Sequence, residues 1–378
     1  MQKPFFRFVF FLSILPIVFG QAAFGDAPVS RPSTPEEMLR SIQLLGGRAG
    51  ELSDIQPSRI DSCEMEVWPD CLRKITYQIF KHPETPTFIA RGEANVKKRM
   101  KQNEKARGLP AGTFVFGAPI FFRAFKHADL KKFLPAIRTP DSKARLLHQL
   151  DEEEDGGILE VWMRTNSGEY VLFHTYDVKA LMGTPMTKRN DGDFLTPEGF
   201  YEIDPLHVNP NSAYHLSFDV GYPNEYDLNH NVRDSKTGAG NEIMVHGICA
   251  SIGCFAMGDP MIEEIYSLTE ASLNRNQVVQ ADGRFKQYRI PMQSFPFRMT
   301  KENIGEFDPI SMRGMATHFQ GGAGSTFDIP TFWENIREGY EKFESTHIPP
   351  KVSVSGKGAQ SKYQFDVQDE VIVRRPCP

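Results

Sequence analysis

Between residues 113 and 297, short runs rich in Phe, Val and Ile are cut repeatedly by glycine and proline, which limits most of that stretch to short strands. Aromatic and β-branched side chains suit a pleated, half-buried surface, while Gly and Pro end it. Residues 113–125 read as one or two strands. Residues 159–163 and 170–174 flank Asn166-Ser167-Gly168, a hairpin turn signal. Residues 214–220 alternate as a strand does, residues 241–246 read as another, and 285–297 returns to extended character. Helical spacing marks residues 260–274, through Ile262, Ile265 and Leu268, and an amphipathic stretch runs over 331–346. The expected fold class is mainly β, a sandwich or barrel with short helices rather than a parallel α/β sheet.

The flanks differ from this centre. Lys3 and Arg7 precede an apolar run from Phe8 to Phe19, and Ala23-Phe24-Gly25 follows as a cleavage site before Asp26. That order is the order of a secretory signal peptide. The run is shorter than the ~20 residues that span a bilayer, and no cysteine at the cleavage site supports a lipid anchor. Residues 26–112 read as a linker and mixed N-terminal arm, Pro-, Ser- and Gly-rich around a helical stretch at 35–45. Residues 95–107 are strongly basic and suit a solvated helix face. The acidic run 151–155 reads as a loop. Residues 301–378 form a C-terminal extension with one helix and a polar, peripheral end. With 378 residues and 40% apolar content, the chain can bury a sizeable core. A net charge of -5 gives no reason to expect a nucleic acid partner.

An exported chain with five cysteines has at least one free thiol or an intermolecular bond. Cys63 and Cys71 are spaced either for a small disulfide loop or as two buried thiols. Cys377 is uninformative. Cys249 and Cys254 belong to the segment that carries chemistry, Val245-His246-Gly247-Ile248-Cys249-Ala250-Ser251-Ile252-Gly253-Cys254. A strand ends in a histidine, and a glycine-punctuated loop leads to a cysteine. A thiol attacks as thiolate and needs a base nearby, which a histidine at the strand end supplies. Gly253 allows a sharp turn that aims backbone N–H groups at a developing oxyanion. A buried cysteine beside a core histidine is the bland alternative. A zinc site from His246, Cys249 and Cys254 lacks the usual spacing and a fourth ligand, so neither metal nor cofactor is expected.

His246-Gly247 followed by Ser251-x-Gly253-Cys254 resembles the signature of the L,D-transpeptidase (YkuD-type) catalytic domain. Further segments, in the same order, resemble its YafK-type branch. They are Gly117-Ala118-Pro119-Ile120-Phe121-Phe122-Arg123, Leu159-Glu160-Val161-Trp162, Thr196-Pro197-Glu198-Gly199-Phe200-Tyr201, and Asn209-Pro210-Asn211-Ser212-Ala213-Tyr214-His215-Leu216-Ser217-Phe218. Phe295-Pro296-Phe297-Arg298-Met299-Thr300 closes the set. The resemblance covers about residues 113–300 and implies a β-sandwich catalytic domain of that extent. It implies Cys254 as nucleophile, His246 as base and acid, and the Gly247 carbonyl as the group that orients the imidazole. Backbone N–H groups near Gly253 and Cys254 would hold the oxyanion, Ser251 joins the oxyanion and substrate-binding set, and His215 with Ser217 is the line of the preceding strand that would face the site.

What the resemblance implies functionally is periplasmic acyl transfer on peptidoglycan, at the L-centre of diaminopimelate. Ile252 stands where many members carry a second His, and Ala256 where many carry an Arg. Both features agree with the YafK-type branch, which implies hydrolysis of the link to a covalently attached outer-membrane lipoprotein. Cross-linking or lipoprotein attachment is the alternative, and a non-catalytic wall-binding module is another. A papain-like peptidase would need a cysteine near the mature N-terminus with distant His and Asn. Cys249 is expected as a reduced packing residue of the loop.

Overall fold

The computed structural model describes residues 83–128, 157–182, 187–230, 238–305 and 327–375. The leader, the helical stretch at 35–45, Cys63, Cys71, Cys377 and the acidic run 151–155 lie outside these residues.

Helix α1 (Thr85–Arg107) comes first, followed by β1 (Ile120–Phe125), β2 (Ile158–Arg164), β3 (Tyr170–Asp177) and β4 (Gly199–Ile203). Four short strands follow, β5 (Val208–Asn209), β6 (Ser217–Asp219), β7 (Met244–His246) and β8 (Phe255–Ala256), then helix α2 (Asp259–Arg275). β9 (Asn276–Val279), β10 (Phe285–Gln287) and β11 (Ile290–Phe295) precede helix α3 (Ile329–Thr346), and β12 (Lys351–Ser355), β13 (Lys362–Asp366) and β14 (Val371–Arg374) complete the chain.

Two sheets form the sandwich expected for the catalytic region. The larger has the order β3-β2-β1-β11-β4, and the smaller β5-β6-β7-β8. β2 and β3 make the expected hairpin, with Gly168 at φ +94° in the turn. The sheets share one core, where the Phe122 ring of β1 stacks on Phe218 of β6 at 5.7 Å. Helix α2 touches both sheets, at β1 and β11 on one side and β6 and β7 on the other.

Every residue of β1 is buried because its sheet is covered on both faces. Ile120, Phe122 and Ala124 face the shared core. Phe125 meets a second core built with Trp333, Ile336 and Tyr340 of α3 and Tyr363 of β13. Each such aromatic contributes about 1.5–3 kcal/mol by leaving water. Buried charge crosses the same interface. Lys126 Nζ lies 2.9 Å from Glu198, whose other oxygen accepts from Trp333 Nε1 at 3.0 Å.

Several elements differ from expectation, each for a local reason. In 113–125 only Ile120–Phe125 is a strand. The strand expected over 214–220 shrinks to Ser217–Asp219, because His215 adopts φ +73°, which breaks the pleat. The strand expected over 241–246 begins at Met244, after Glu242 at φ +57°. The polar C-terminal end is not peripheral, since β14 pairs with β9 and Tyr363 is 1% exposed.

The basic stretch 95–107 is only half a solvated face. Lys98, Lys101 and Lys105 are exposed, but Val96 and Met100 are buried where α1 lies along α2. Arg99 makes a two-point ion pair with the buried Glu264, at 2.8 and 2.9 Å, and Tyr176 donates to the same carboxylate at 2.8 Å. Arg91 grips the neighbouring Glu263 in the same way, with Nε 2.6 Å from Oε2. Such pairing is what allows two adjacent carboxylates to stay buried. Gly92 sets the closeness of the two helices, since a Cβ there would stand 2.0 Å from the Glu263 carbonyl oxygen. Gly92→Ala is therefore expected to force α1 away from α2 and destabilise the protein by about 1–3 kcal/mol, read as a lowered thermal midpoint. An unchanged midpoint would show that the contact does not hold α1.

Candidate active site

The site lies at the open end of the smaller sheet. β7 and β8 run parallel, with Val245 opposite Phe255 and His246 opposite Ala256. That register brings Cys254, just before β8, beside the start of β7, while His246 ends the same strand. His246 and Cys254 are therefore diagonal neighbours, joined by the loop from Gly247 to Gly253.

His246 is 3% exposed, and its Nδ1 lies 2.5 Å from the Gly247 carbonyl oxygen. Nδ1 is then the protonated nitrogen, which leaves Nε2 unprotonated and able to accept a proton. Gly247 is held in turn, its N–H donating to the carbonyls of Tyr214 at 3.0 Å and Leu216 at 3.2 Å. No side chain fits at this position, because a Cβ would meet Asp259 Oδ1, the Tyr214 carbonyl oxygen and His215 Cβ within 2.8 Å. Asp259, at the start of α2, also accepts from the Ile248 N–H at 2.8 Å. That bond secures a residue in the left-handed region, Ile248 at φ +53°.

Cys254 is half-buried. Its sulfur accepts from the Met244 N–H at 3.3 Å and donates to the Glu242 carbonyl at 3.7 Å. Burial pushes the thiol pKa up to about 11. Burial likewise depresses the His246 imidazole, and the Gly247 carbonyl only partly opposes this. Both shifts disfavour charge, so the resting pair is a neutral thiol and a neutral imidazole.

The loop is braced from within. Ser251 Oγ donates to the Cys254 carbonyl at 2.6 Å and accepts from the Gly253 N–H at 3.0 Å. Ser251 is thus a structural clasp, and the Gly253 N–H is already engaged. The Cys254 N–H carries no hydrogen bond among the described residues, which leaves an N–H donor beside the sulfur. Gly253 has φ +134°, a conformation that suits glycine.

The remaining expected site residues fall differently. Ser217 pairs laterally with His246 across the ladder and is 1% exposed. His215 lies outside the strand, so the alternation that aligned it with Ser217 does not hold. Its Nε2 lies 2.7 Å from Glu263 on α2, and its ring stacks on Phe88 of α1 at 3.9 Å. Tyr214, assigned by alternation to the opposite face, instead has its ring 5.0 Å from that of His246. Cys249 forms no disulfide among the described residues, and it is exposed rather than packed. Ile252 is 74% exposed on the loop, whereas Ala256 is fully buried and bonded through its backbone to Ala180, away from the open face. Asp259 escaped sequence reasoning, although Gly258-Asp259-Pro260 is a helix-start signal that marks it.

The L,D-transpeptidase catalytic domain (YkuD) matches residues 154–280, the stretch that holds both His246 and Cys254. A curated protein of Escherichia coli K12 named "Putative L,D-transpeptidase YafK" is 32% identical over 195 residues, which cover 51% of this chain and 66% of that protein. The same protein from Escherichia coli O157:H7 matches equally. The chain thus spans just under two thirds of the length of these relatives. The crystal structure of the helical cell shape determining protein Pgp2 from Campylobacter jejuni aligns over 68% of this chain and 81% of that one. Its 14% identity and TM-score of 0.29 are too low to bear on fold or function.

The neutral resting pair generates a labelling prediction. With Cys249→Ser removing the exposed thiol, alkylation of Cys254 by iodoacetamide, followed by peptide mass mapping, is expected to be slow at pH 7. The rate should climb continuously through pH 10, because the thiolate fraction grows tenfold per unit below its pKa. A rate that has already levelled off at neutral pH would contradict a buried, neutral thiol.

Proposed function

The chain belongs to the L,D-transpeptidase (YkuD) family as a YafK-like member, and from that premise we propose that it is an exported cysteine enzyme that cleaves an amide at the L-centre of diaminopimelate in peptidoglycan. The observation that carries the reading is the commitment of His246 Nδ1 to the Gly247 carbonyl, one strand away from Cys254. It frees a single ring nitrogen for proton transfer, in the tautomer a general base requires.

The chemistry is acyl transfer in two halves. His246 Nε2 takes the thiol proton as Cys254 sulfur attacks the stem-peptide carbonyl, so charge develops only when substrate is present. The Cys254 N–H steadies the oxyanion. His246 then returns the proton to the leaving amine, and a thioester remains. Water, deprotonated by His246, hydrolyses it and restores the thiol.

Hydrolysis rather than cross-linking is supported by the loop surface. From Ile248 to Gly253 it carries no charged side chain, and the apolar Ile252 is its most exposed large residue. Nothing there would draw the ammonium and carboxylates of a second stem peptide. Ala256 adds nothing to this argument, since it is buried in β8. The leaving group proposed is the lysine amine of a covalently attached lipoprotein, in keeping with the YafK-like character. Export rests on the order of charged, apolar and small residues in positions 1–25.

The protein is to be incubated with purified wall material carrying the lipoprotein peptide and, separately, with free tetrapeptide stems, and the products identified by mass. Release of the lipoprotein peptide without new dimers is expected. Diaminopimelate-to-diaminopimelate dimers with the lipoprotein link untouched would overturn the hydrolytic reading in favour of cross-linking. Cys254→Ala should abolish release, and His246→Ala should lower it by roughly 10²–10⁴-fold. The two losses should not add, because the residues act as a unit.

A further inference from the structure

A half-exposed aromatic ring lies against the proposed base. Tyr214 is 51% exposed, yet its ring is 5.0 Å from the His246 ring at an interplanar angle of 38°. Its carbonyl accepts from the Gly247 N–H, and the Gly247 carbonyl accepts from His246 Nδ1. Tyr214 therefore reaches the imidazole twice, through its tilted ring and through Gly247, whose N–H it binds and whose carbonyl fixes the tautomer.

The backbone around Tyr214 is held at some cost. His215 has φ +73°, a region that a residue with a bulky side chain rarely adopts. Such a conformation persists only where its surroundings over-determine it. Here they do. His215 Nε2 is bonded to the 2%-exposed Glu263 carboxylate, the same carboxylate is gripped by Arg91, and Phe88 stacks on the imidazole. Arg91 and Phe88 belong to α1, and Glu263 to α2. The helix α1 precedes the matched family region, so a segment of this chain outside that region reaches to within one residue of the site.

We propose that Tyr214 is a positioning residue for His246, and that α1 and α2 hold it there through a clamp made of Phe88, Arg91, Glu263 and His215. The ring limits rotation of the imidazole about its side-chain bonds and keeps water from the face it covers. This assignment rests on the reading of His246 as the base. It also gives His215 a definite duty, which is anchorage and not substrate contact.

The depressed pKa of His246 supports the geometry, since burial is its leading cause and no charged side chain contributes. Stripping away the Tyr214 ring would admit water to the imidazole and let its pKa rise toward the ordinary histidine value. The neutral form is the active one. Activity should then be lost at a higher pH as the solution is acidified, so the acid limb of the rate profile moves upward.

The experiment has two readouts. The first needs no activity. The His246 imidazole is titrated by NMR in the Cys254→Ala protein, its signal assigned by its loss in His246→Ala. Tyr214→Ala should raise its pKa, and Tyr214→Phe, which keeps the ring, should leave it low. The second readout is kcat for amide cleavage. Tyr214→Ala should lower kcat roughly 10–100-fold with little change in KM, and Tyr214→Phe should recover most of that rate. His215→Ala should show the same signature more weakly, and the double variant should be no worse than Tyr214→Ala alone. Thermal midpoints are measured alongside, so that a folding defect is seen as such. A His246 pKa and acid limb unmoved by Tyr214→Ala would overturn the proposal, as would a His215→Ala defect confined to KM. If His246→Ala were itself fully active, the reading of the base would fail, while the imidazole titration would still report on the clamp.

Discussion

Parallel strands usually need a long crossover connection, because the chain must return to its starting end before pairing again. β7 and β8 do without one, since only the residues from Gly247 to Cys254 join them. Much of the site follows from that constraint. The loop must double back over itself, so Ile248 takes a left-handed conformation and Gly253 a conformation suited to glycine. Two of its amides find side chains instead of a sheet partner, Asp259 for Ile248 and Ser251 for Gly253. A short return also dictates that a residue ending one strand and a residue opening the other lie side by side. The proposed nucleophile and base are those two residues.

The electrostatics of the pair follow from where the loop lies. It is tucked against Leu195 and Ile243 at Gly253, and burial rather than a nearby charge governs both titrations. An ion pair at rest would require solvation that this pocket withholds. Burial holds the Cys254 thiol protonated, while Cys249 close by is exposed. The contrast separates two cysteines that lie five positions apart.

The parts of this arrangement that depend on local sequence were legible in it. The β2–β3 hairpin is written in Asn166-Ser167-Gly168, helices α2 and α3 in their apolar spacing, and the His246–Cys254 pairing in the motif around it. What could not be read depends on distant partners or on a single dihedral. The Arg91 and Arg99 side chains look like members of a solvated basic run until Glu263 and Glu264, far along the chain, are brought beneath them. The strand carrying Tyr214 and His215 alternates correctly on paper. One left-handed residue ends it early and exchanges the two side chains between the site and the helix. The end of the chain looked peripheral because β12 and β13 expose alternate polar residues, while Tyr363 is buried in the core and Val352, Val354 and Phe365 pack against it.

The covering of the large sheet on both faces has a consequence in time as well as in space. β1 pairs with β11, Phe122 against Met292, and α3 and Tyr363 help to close its second face. These contacts join segments made far apart during synthesis, so the central strand stays incomplete long after it leaves the ribosome. Folding that waits on such distant pairings is slow. A growing chain of this kind cannot close its central strand until β11 and α3 have been made.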